Sequence, residues 1–306
     1  MGTEFGGIIL WNYEILGVDL YHILFWLFLY SFLGWIWEST YVSVKQKRIV
    51  NRGFVNGPVC TIYGVGAMSI YLLLHPLREH GLWLFLGGIL VATILEYVTA
   101  AVMETLFHTS WWDYSSKPFN IKGRICLESS VVWGFFTLLL FEVLHPFAEW
   151  VIGLFDVATG HAFVILCSIL YAADFTISAL AASQLGAKLA KMHAAMEEFG
   201  EYLQTTKIYE SAEELREVLE PYRKALSLKE LQEKLEELQG KLQKRMEEKD
   251  LMDYAENFRM RAKNFREQYQ EDFSKITGVN RRFMKAYPNL HKVHKKKIEK
   301  HKKEEK

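Results

Sequence analysis

Long apolar stretches separated by short polar segments dominate the first 183 residues of the chain. The stretches that approach the roughly 20 residues needed for a helix to cross a bilayer core cover residues 20–42, 58–75, 82–104, 125–145 and 160–182. A buried core of a soluble protein accounts for one such stretch, whereas five in succession indicate a membrane protein. The pattern predicts an all-α, polytopic membrane fold with about five transmembrane helices.

After residue 183 the apolar positions change to the spacing of an amphipathic helix. Apolar residues recur three and four positions apart at Leu228, Leu231, Leu235, Leu238 and Leu242, which is typical of a short coiled coil or a helical hairpin. We therefore divide the chain into an N-terminal extracytoplasmic leader (1–19), a transmembrane domain (20–183), a cytoplasmic helical domain (184–280) and a basic tail (281–306).

The charged residues follow the same division, which a formal net charge of zero conceals. Residues 1–183 hold only 21 of the 72 Asp, Glu, Lys and Arg side chains, and residues 281–306 hold 11 basic and 3 acidic ones. A basic tail of this kind is attracted to anionic lipid without sequence choice. Membrane lipids are therefore expected partners, and the tail gives no indication of a specific nucleic-acid partner.

The loop charges predict how the chain is oriented in a cell membrane. Basic residues follow the first and third spans, at Lys45, Lys47, Arg48 and Arg52 and at Lys117, Lys122 and Arg124. Arg78 is the only basic residue in the loops on the opposite side. Because basic loops stay in the cytoplasm, we expect a multi-pass protein with its N-terminus outside and its C-terminal domain in the cytoplasm.

A shift of 70 residues aligns two parts of the transmembrane domain. It superposes Arg52-Gly53 on Lys122-Gly123, Tyr63-Gly64 on Trp133-Gly134, and Leu74-His75-Pro76 on Leu144-His145-Pro146. We interpret these matches as an internal repeat of two helical hairpins in the same orientation. The two histidines at the ends of the hairpins are expected to be helix-end residues, and Glu149 is expected to face water.

The acidic residues inside the predicted spans are the candidates for a binding site. An ionised carboxylate that faces lipid costs about 3 kcal/mol, so such residues normally face the bundle interior. We predict a polar substrate site that opens toward the cytoplasm and comprises Glu38, Arg52, Asn56, Tyr63, Glu96, Asp113, Asn120, Arg124 and Glu128. A purely structural alternative pairs Glu38 with Arg124 and Glu96 with Arg52.

Two long polar and glycine-rich segments carry a family resemblance. They read RGFVNGPVCTIYGVG from Arg52 to Gly66 and WWDYSSKPFNIKGRICLESSVVWG from Trp111 to Gly134. With Glu38 and Leu95-Glu96-Tyr97, they resemble the CmpB-like family of type IV ABC-transporter permeases over roughly residues 25–182. Thr61 departs from the proline expected before Ile-Tyr-Gly. The resemblance implies a multi-span permease, and because the chain has no GxxxxGK[ST] motif, any ATPase would be a separate subunit.

These observations favour a permease-like protein that binds or moves a small polar or amphiphilic solute. Two alternatives remain open: a membrane enzyme acting on a lipid headgroup, and a scaffold or sensor whose cytoplasmic domain binds partners. The pattern favours a non-enzymatic role, because no nucleophile triad is evident. No cofactor or metal site is expected, since His and Cys do not show ligand spacing. Five spans are few for a pore, so a homodimer is a further expectation.

Overall fold

The computed structural model describes residues 11, 13–107, 109–205, 211–223, 228–248, 255–287 and 290, and most of them are helical. A short antiparallel hairpin, β1 (Glu14–Ile15) and β2 (Val18–Asp19), precedes the first helix. The side chain of Asp19 accepts a hydrogen bond from the backbone N–H of His22 and so caps that helix. Most of the predicted leader, residues 1–10 and 12, lies outside the described residues.

Six α-helices follow in the described part of residues 20–205. They are α1 (Leu20–Gln46), α2 (Thr61–Leu74), α3 (Gly81–Phe107), α4 (Leu127–Leu139), α5 (His145–Ile152) and α6 (Val157–Thr205). A 3-10 turn at His75–Leu77 extends α2, and a π-helical segment at Leu140–Leu144 joins α4 to α5. Helices α1 and α3, the continuous stretch Leu127–Ile152, and α6 are long and apolar enough to cross a membrane. The all-α membrane fold is therefore confirmed.

The second predicted span differs from the other four. Together with its 3-10 turn, α2 covers Thr61–Leu77, which is shorter than the other apolar helices. The span was predicted to begin at about residue 58, and the helix begins three residues later, at Thr61. The N–H groups of Asn56 and Gly57 bond to Asp174 of α6, and the N–H of Cys60 bonds to the carbonyl of Ser31 in α1. These residues therefore stay outside the helix.

Glycines allow α1 and α2 to pack closely. A methyl group at Gly64 would overlap the hydroxyl of Ser31 and the carbonyl of Leu27, and one at Gly34 would overlap the ring of Tyr63. In the second hairpin, a methyl group at Gly134 would come within 2.7 Å of Phe85. Small residues at such crossings bring helix backbones together, as is common in membrane bundles.

Buried apolar residues form the core of this part of the chain. The core residues of α1 and α2 include Phe25, Trp26, Tyr30 and Ile70, and they pack with buried residues of later helices. Many other large apolar side chains of α3 to α6 are exposed, for example Leu90 and Leu170, as expected for helices that face lipid.

Beyond the membrane helices the structure describes α7 (Ala212–Arg223), α8 (Leu228–Glu248), α9 (Ala255–Ser274) and α10 (Gly278–Ala286). Helix α8 packs against α7 and α9. Leu231, Leu235, Leu238 and Leu242 are buried on one face of α8, as core residues of a helical domain would be. A coiled coil remains a prediction. The predicted basic tail begins within α10, and residues 288–289 and 291–306 lie outside the described part.

Contacts divide the chain into two compact units. The first comprises Met1–Thr105 and Ser110–Leu180, and the second comprises Leu106–Thr109 and Ala181–Lys306. Helix α6 contributes residues to both units, because it continues without a break from its apolar first half into its charged second half. The candidate site described below lies in the first unit.

Candidate functional site

Glu38, in the second half of α1, binds a guanidinium and a phenol. The Nε and Nη2 atoms of Arg52 lie 3.2 and 3.1 Å from its Oε1 atom, and the hydroxyl of Tyr63 donates to its Oε2 atom at 2.9 Å. The backbone N–H of Arg52 bonds to the hydroxyl of Ser39, which fixes the loop after α1 beside the helix. This ion pair is largely shielded, with side-chain exposures of 15% for Arg52 and 23% for Glu38.

Glu96, in α3, is more deeply buried and is bound by neutral donors. Its carboxylate accepts hydrogen bonds from the hydroxyl of Tyr114 at 3.1 Å, the hydroxyl of Ser129 at 3.4 Å and the indole N–H of Trp133 at 3.1 Å. The residue is only 6% exposed. Among the side chains that the structure describes, no Lys, Arg or His forms an ion pair with Glu96.

Tyr114, in the loop after α3, has a phenol whose pKa is affected by Glu96. Burial raises the pKa of the Tyr114 phenol well above its usual range, and the negative charge of Glu96 raises it further. The phenol therefore stays protonated and acts as a donor to Glu96.

The two carboxylates share one kind of hydrogen-bond donor in the two hairpins. In each hairpin an aromatic residue of the second helix donates to the glutamate of the first: Tyr63 to Glu38, and Trp133 to Glu96. The rings of Tyr63 and Trp133 are themselves neighbours, with centroids 5.4 Å apart. The two polar groups are therefore joined through one aromatic pair.

A cavity of about 280 Å³ lies on the other side of this aromatic pair. Its aromatic lining residues are Tyr30, Trp37, Tyr63, Trp133 and Phe136. Leucine, isoleucine and alanine side chains form most of the remaining wall, together with Gly34 and Thr137. The lining residues Trp37, Ile36 and Leu139 are 55%, 42% and 41% exposed, so the cavity opens at the side of the helices. A mostly apolar cavity with polar groups at one wall is typical of a small-ligand site.

Arg124 belongs to a separate ion pair. Its Nε and Nη2 atoms lie 3.0 and 2.6 Å from Oε2 of Glu104, and its guanidinium lies over the ring of Tyr97. The hydrogen bond to Glu104 raises the pKa of Arg124. The structural alternative that paired Glu38 with Arg124 and Glu96 with Arg52 is wrong. Each guanidinium instead binds a glutamate on the helix that precedes its own loop.

Three more of the predicted site residues make contacts with the loop between α3 and α4. Asp113 accepts from the N–H and the hydroxyl of Ser115, and Asn120 donates to the carbonyl of Lys117. Glu128 forms an exposed ion pair with Lys117 at 2.6 Å. Exposed pairs of this kind contribute little to stability. All three residues contact residues of the loop. Their role in substrate binding stays a prediction.

Asn56 lies at another polar group, on α6. Asp174 accepts from the backbone N–H of Asn56 at 3.0 Å, from its side-chain amide at 2.7 Å and from the N–H of Gly57 at 2.7 Å. These bonds attach the loop before α2 to α6. The nine predicted residues are thus divided: Glu38, Arg52, Tyr63 and Glu96 lie around the aromatic pair, and the others lie in neighbouring groups.

Beside the first half of α1 the structure places a partly buried histidine, His145 of α5. The hydroxyl of Tyr30 lies 2.8 Å from Nδ1 of His145, and Tyr71 stacks on the imidazole with ring centroids 3.6 Å apart. Glu149 accepts from the indole N–H of Trp26 at 2.9 Å. His145 and Glu149 therefore both contact α1. His145 is the first residue of α5, as predicted for a helix-end residue, and the Glu149 side chain is 46% exposed, as predicted for a water-facing one.

The sequence did not predict several hydrogen-bond partners of the site residues, although it contains an indication for two of them. Trp133 aligns with Tyr63 in the 70-residue shift, and both side chains carry a single donor at the tip of an aromatic ring. Glu104 is the last acidic residue of α3 before Arg124. Nothing in the sequence pattern pointed to Ser129 or to the direction of Tyr114.

The comparison with known families agrees with this architecture. A family model described as "Putative ABC-transporter type IV" matches residues 25–179, just over half of the chain. The chain belongs to this family. The match includes α1 to α5, both hairpins, and the part of α6 that carries Asp174. The family and the apolar helices together identify a membrane protein of a transport-related class. Neither a curated protein nor a solved structure matches the chain.

Proposed function

We propose that this family member is a permease-like protein that binds an amphiphilic solute from within the membrane. The cavity of about 280 Å³ would hold the apolar part of the solute. Its polar group would lie against Tyr63 and Trp133, behind which Glu38 and Glu96 are bonded. The observation that carries the proposal is that Tyr63 and Trp133 both line an apolar, laterally open cavity and each donate a hydrogen bond to a shielded carboxylate.

The lateral opening favours an amphiphile over a small polar solute. The exposed lining residues, Trp37, Ile36 and Leu139, are all apolar, so in a bilayer they would border hydrocarbon. A solute with an alkyl or ring system could enter from that side without losing contact with apolar surface. A small, fully polar solute would gain nothing from the same walls.

The internal repeat supports a site between the hairpins. Leu27 and Ser31 of α1 lie beside Gly64 of α2. The residues 58 positions after them, Phe85 and Ile89 of α3, lie beside Gly134 of α4 in the same way. The aromatic-to-glutamate hydrogen bonds repeat in the same way. We therefore interpret the two hairpins as parallel repeats about an axis along the membrane normal, an arrangement in which sites commonly lie at the repeat interface.

The proposed topology places the two basic loops in the cytoplasm and the N-terminus outside. It requires α2 to cross the membrane, although α2 is short. With its 3-10 turn, α2 spans roughly 27 Å at the usual rise per residue, close to the bilayer core of about 30 Å. The charged helices α7 to α10 would then form a cytoplasmic domain.

The proposal includes partners. A separate ATPase subunit would supply energy, lipids would surround α3 and α6, and two copies would assemble because one chain offers few spans. Light scattering of the detergent-purified protein tests the assembly, and a strict monomer would contradict it. No specific nucleic-acid partner is proposed.

Filling the cavity tests the proposed binding. Ala67 lines the cavity, so Ala67→Phe should exclude the solute, whereas Ala173→Phe, at an exposed position of α6, should not. Amphiphiles retained by each purified, folded protein would be identified by mass spectrometry after mild extraction. Loss of one class of molecule in Ala67→Phe alone supports the proposal. Equal retention in both variants contradicts it.

Glu96→Gln separates transport from the alternatives. If solute uptake into cells falls while expression and folding are normal, transport is supported. If instead the purified protein turns over lipid headgroups and Glu96→Gln abolishes that turnover, the enzyme alternative is correct. Loss of expression alone would assign Glu96 a purely structural role.

A further inference from the structure

The charges around the cavity do not balance. Glu38 is paired with Arg52, so this part of the site is close to neutral. Glu96 is held by Tyr114, Ser129 and Trp133, which are neutral donors, and among the described side chains it forms no ion pair. A buried carboxylate without a cation favours a positively charged group nearby.

The aromatic side chains of the cavity wall also favour a positively charged ligand. Five aromatic side chains line the cavity: Tyr30, Trp37, Tyr63, Trp133 and Phe136. The face of an aromatic ring is the negative part of its quadrupole and attracts cations, most strongly for Trp and Tyr. Sets of such rings are a known way to bind quaternary ammonium groups, which have no hydrogen to donate.

The hydrogen bonds of two of these rings strengthen the effect. Tyr63 and Trp133 each donate, through the ring edge, to a carboxylate. A donor bonded to an anion has more electron density in its ring, so the ring face becomes more negative. The cavity is therefore lined by aromatic rings, two of which are hydrogen-bonded to a carboxylate.

We infer that the ligand of this cavity is an amphiphile with a positively charged ammonium group, held against the rings of Tyr63 and Trp133. This inference rests on the proposed function and names its substrate class. The apolar part of the ligand extends toward Ile36 and Leu139, where the cavity opens.

An anionic headgroup has no equivalent partner at the cavity. The guanidinium of Arg52 binds Glu38, that of Arg124 binds Glu104, and neither residue lines the cavity wall. A phosphate or carboxylate placed against Trp133 would approach the negative charge of Glu96 and the negative ring faces. The site thus discriminates against anions by repulsion.

Binding of matched ligands to the full-length protein tests the inference. The protein is purified in dodecyl maltoside, which is uncharged and has no ammonium group. Equilibrium binding is measured for radiolabelled decyltrimethylammonium, for its neutral analogue with carbon in place of nitrogen, and for decyl sulfate. Protein-free micelles give the background for each ligand.

We expect the cationic ligand to bind about tenfold more tightly than the neutral analogue, and decyl sulfate to bind weakest. Ala67→Phe should abolish binding of the cation, and Ala173→Phe should leave it unchanged. Glu96→Gln should remove most of the tenfold preference, and Trp133→Leu should do the same by removing the ring. The comparison of the three ligands needs only the wild-type protein, so it remains decisive if a variant fails to fold.

The outcomes separate the inference from the proposed function. If the neutral and cationic ligands bind equally well and Ala67→Phe blocks both, the cavity is a binding site and the inference is overturned. A preference for decyl sulfate would also overturn it. If no ligand is affected by Ala67→Phe, the proposed binding cavity itself is wrong.

Discussion

Among the residues whose burial the structure describes, Glu96 is the buried acidic residue. Three donors converge on its carboxylate, and the residue is 6% exposed. Removing the acceptor would leave the hydroxyl of Tyr114 and the indole N–H of Trp133 without their partner, whereas the hydroxyl of Ser129 could still donate to the carbonyl of Cys126 at 2.9 Å. Each unsatisfied buried donor costs about 1–3 kcal/mol.

We therefore expect Glu96→Ala to lower the free energy of unfolding by about 2 kcal/mol or more relative to Glu96→Gln. Glutamine keeps a carbonyl oxygen as acceptor and removes the buried charge, so it should be close to the wild type. The measurement is an unfolding titration with sodium dodecyl sulfate in mixed micelles. Equal stability of the two variants would show that the three hydrogen bonds are not needed for folding.

The Arg52–Glu38 ion pair gives a second prediction at this scale. Arg52→Gln leaves the shielded carboxylate of Glu38 without its cation, and Glu38→Gln leaves the guanidinium without its anion. Because both side chains retain some exposure, each single change should cost about 2 kcal/mol, less than for a fully buried pair.

The double variant should cost at least about 1 kcal/mol less than the sum of the two single changes, since neither charge is then left alone. The same unfolding titration measures all four proteins of the cycle. Strict additivity would indicate that the contact contributes no net coupling, and the pair would then be a surface interaction.

Residue types were predicted better than residue partners. Hydropathy and charge were enough to select Glu38, Arg52 and Glu96, because acids inside apolar spans are rare and costly. The pairing was not predictable, because it depends on which loop end lies beside which helix. The N–H of Arg52 binds Ser39, the residue after Glu38 in α1, and this bond helps to hold Arg52 next to Glu38.

At the scale of the elements, apolar stretches predicted the long helices well, while local hydrogen bonds decided where they begin and end. The fourth predicted span ended at residue 145, directly before Pro146, yet the apolar helix continues to Ile152. Proline lacks an N–H and normally breaks a helix. Here the π-helical turn at Leu140–Leu144 precedes it, so Pro146 lies in the first turn of α5, where no N–H is required.

Two glycines of α2 give an element-scale prediction with an internal control. A methyl group at Gly64 would overlap Ser31 and Leu27 of α1, whereas one at Gly66 would meet nothing within 4 Å. Gly64→Ala should force α1 and α2 apart and lower the free energy of unfolding by about 2 kcal/mol. Gly66→Ala should be neutral or stabilising by about 0.5 kcal/mol, because alanine favours the helix.

Both variants can be compared by the thermal stability of the detergent-purified protein, and ligand binding to the cavity is a second readout. Gly64→Ala should also weaken binding, since Tyr63 is the adjacent residue and lines the cavity. If the two variants are equally stable, α1 and α2 do not pack at Gly64 as described.

For the whole molecule, the uneven distribution of charge was the most informative property of the sequence. The contact-based division falls between Leu180 and Ala181, and the predicted boundary follows residue 183. The family match ends at residue 179, so it covers most of the first unit, which holds the apolar helices, and not the charged helices that follow. The continuous helix α6 was not predicted. Hydropathy shows where the apolar residues end, but it does not show whether the helix continues beyond that point.

The orientation of the chain provides a final prediction, and it depends on whether the short helix α2 crosses the membrane. Ile49, in the basic loop after α1, and His80, between α2 and α3, are both exposed. Positive-inside topology places Ile49 in the cytoplasm and His80 outside. A membrane-impermeant maleimide should therefore label His80→Cys in intact cells, and label Ile49→Cys only after the membrane is opened. The parent protein, with Cys60 and Cys126 buried and Cys167 partly buried, gives the background labelling. If both positions are labelled only in opened cells, α2 re-enters the cytoplasm, and the two hairpins are not equivalent repeats.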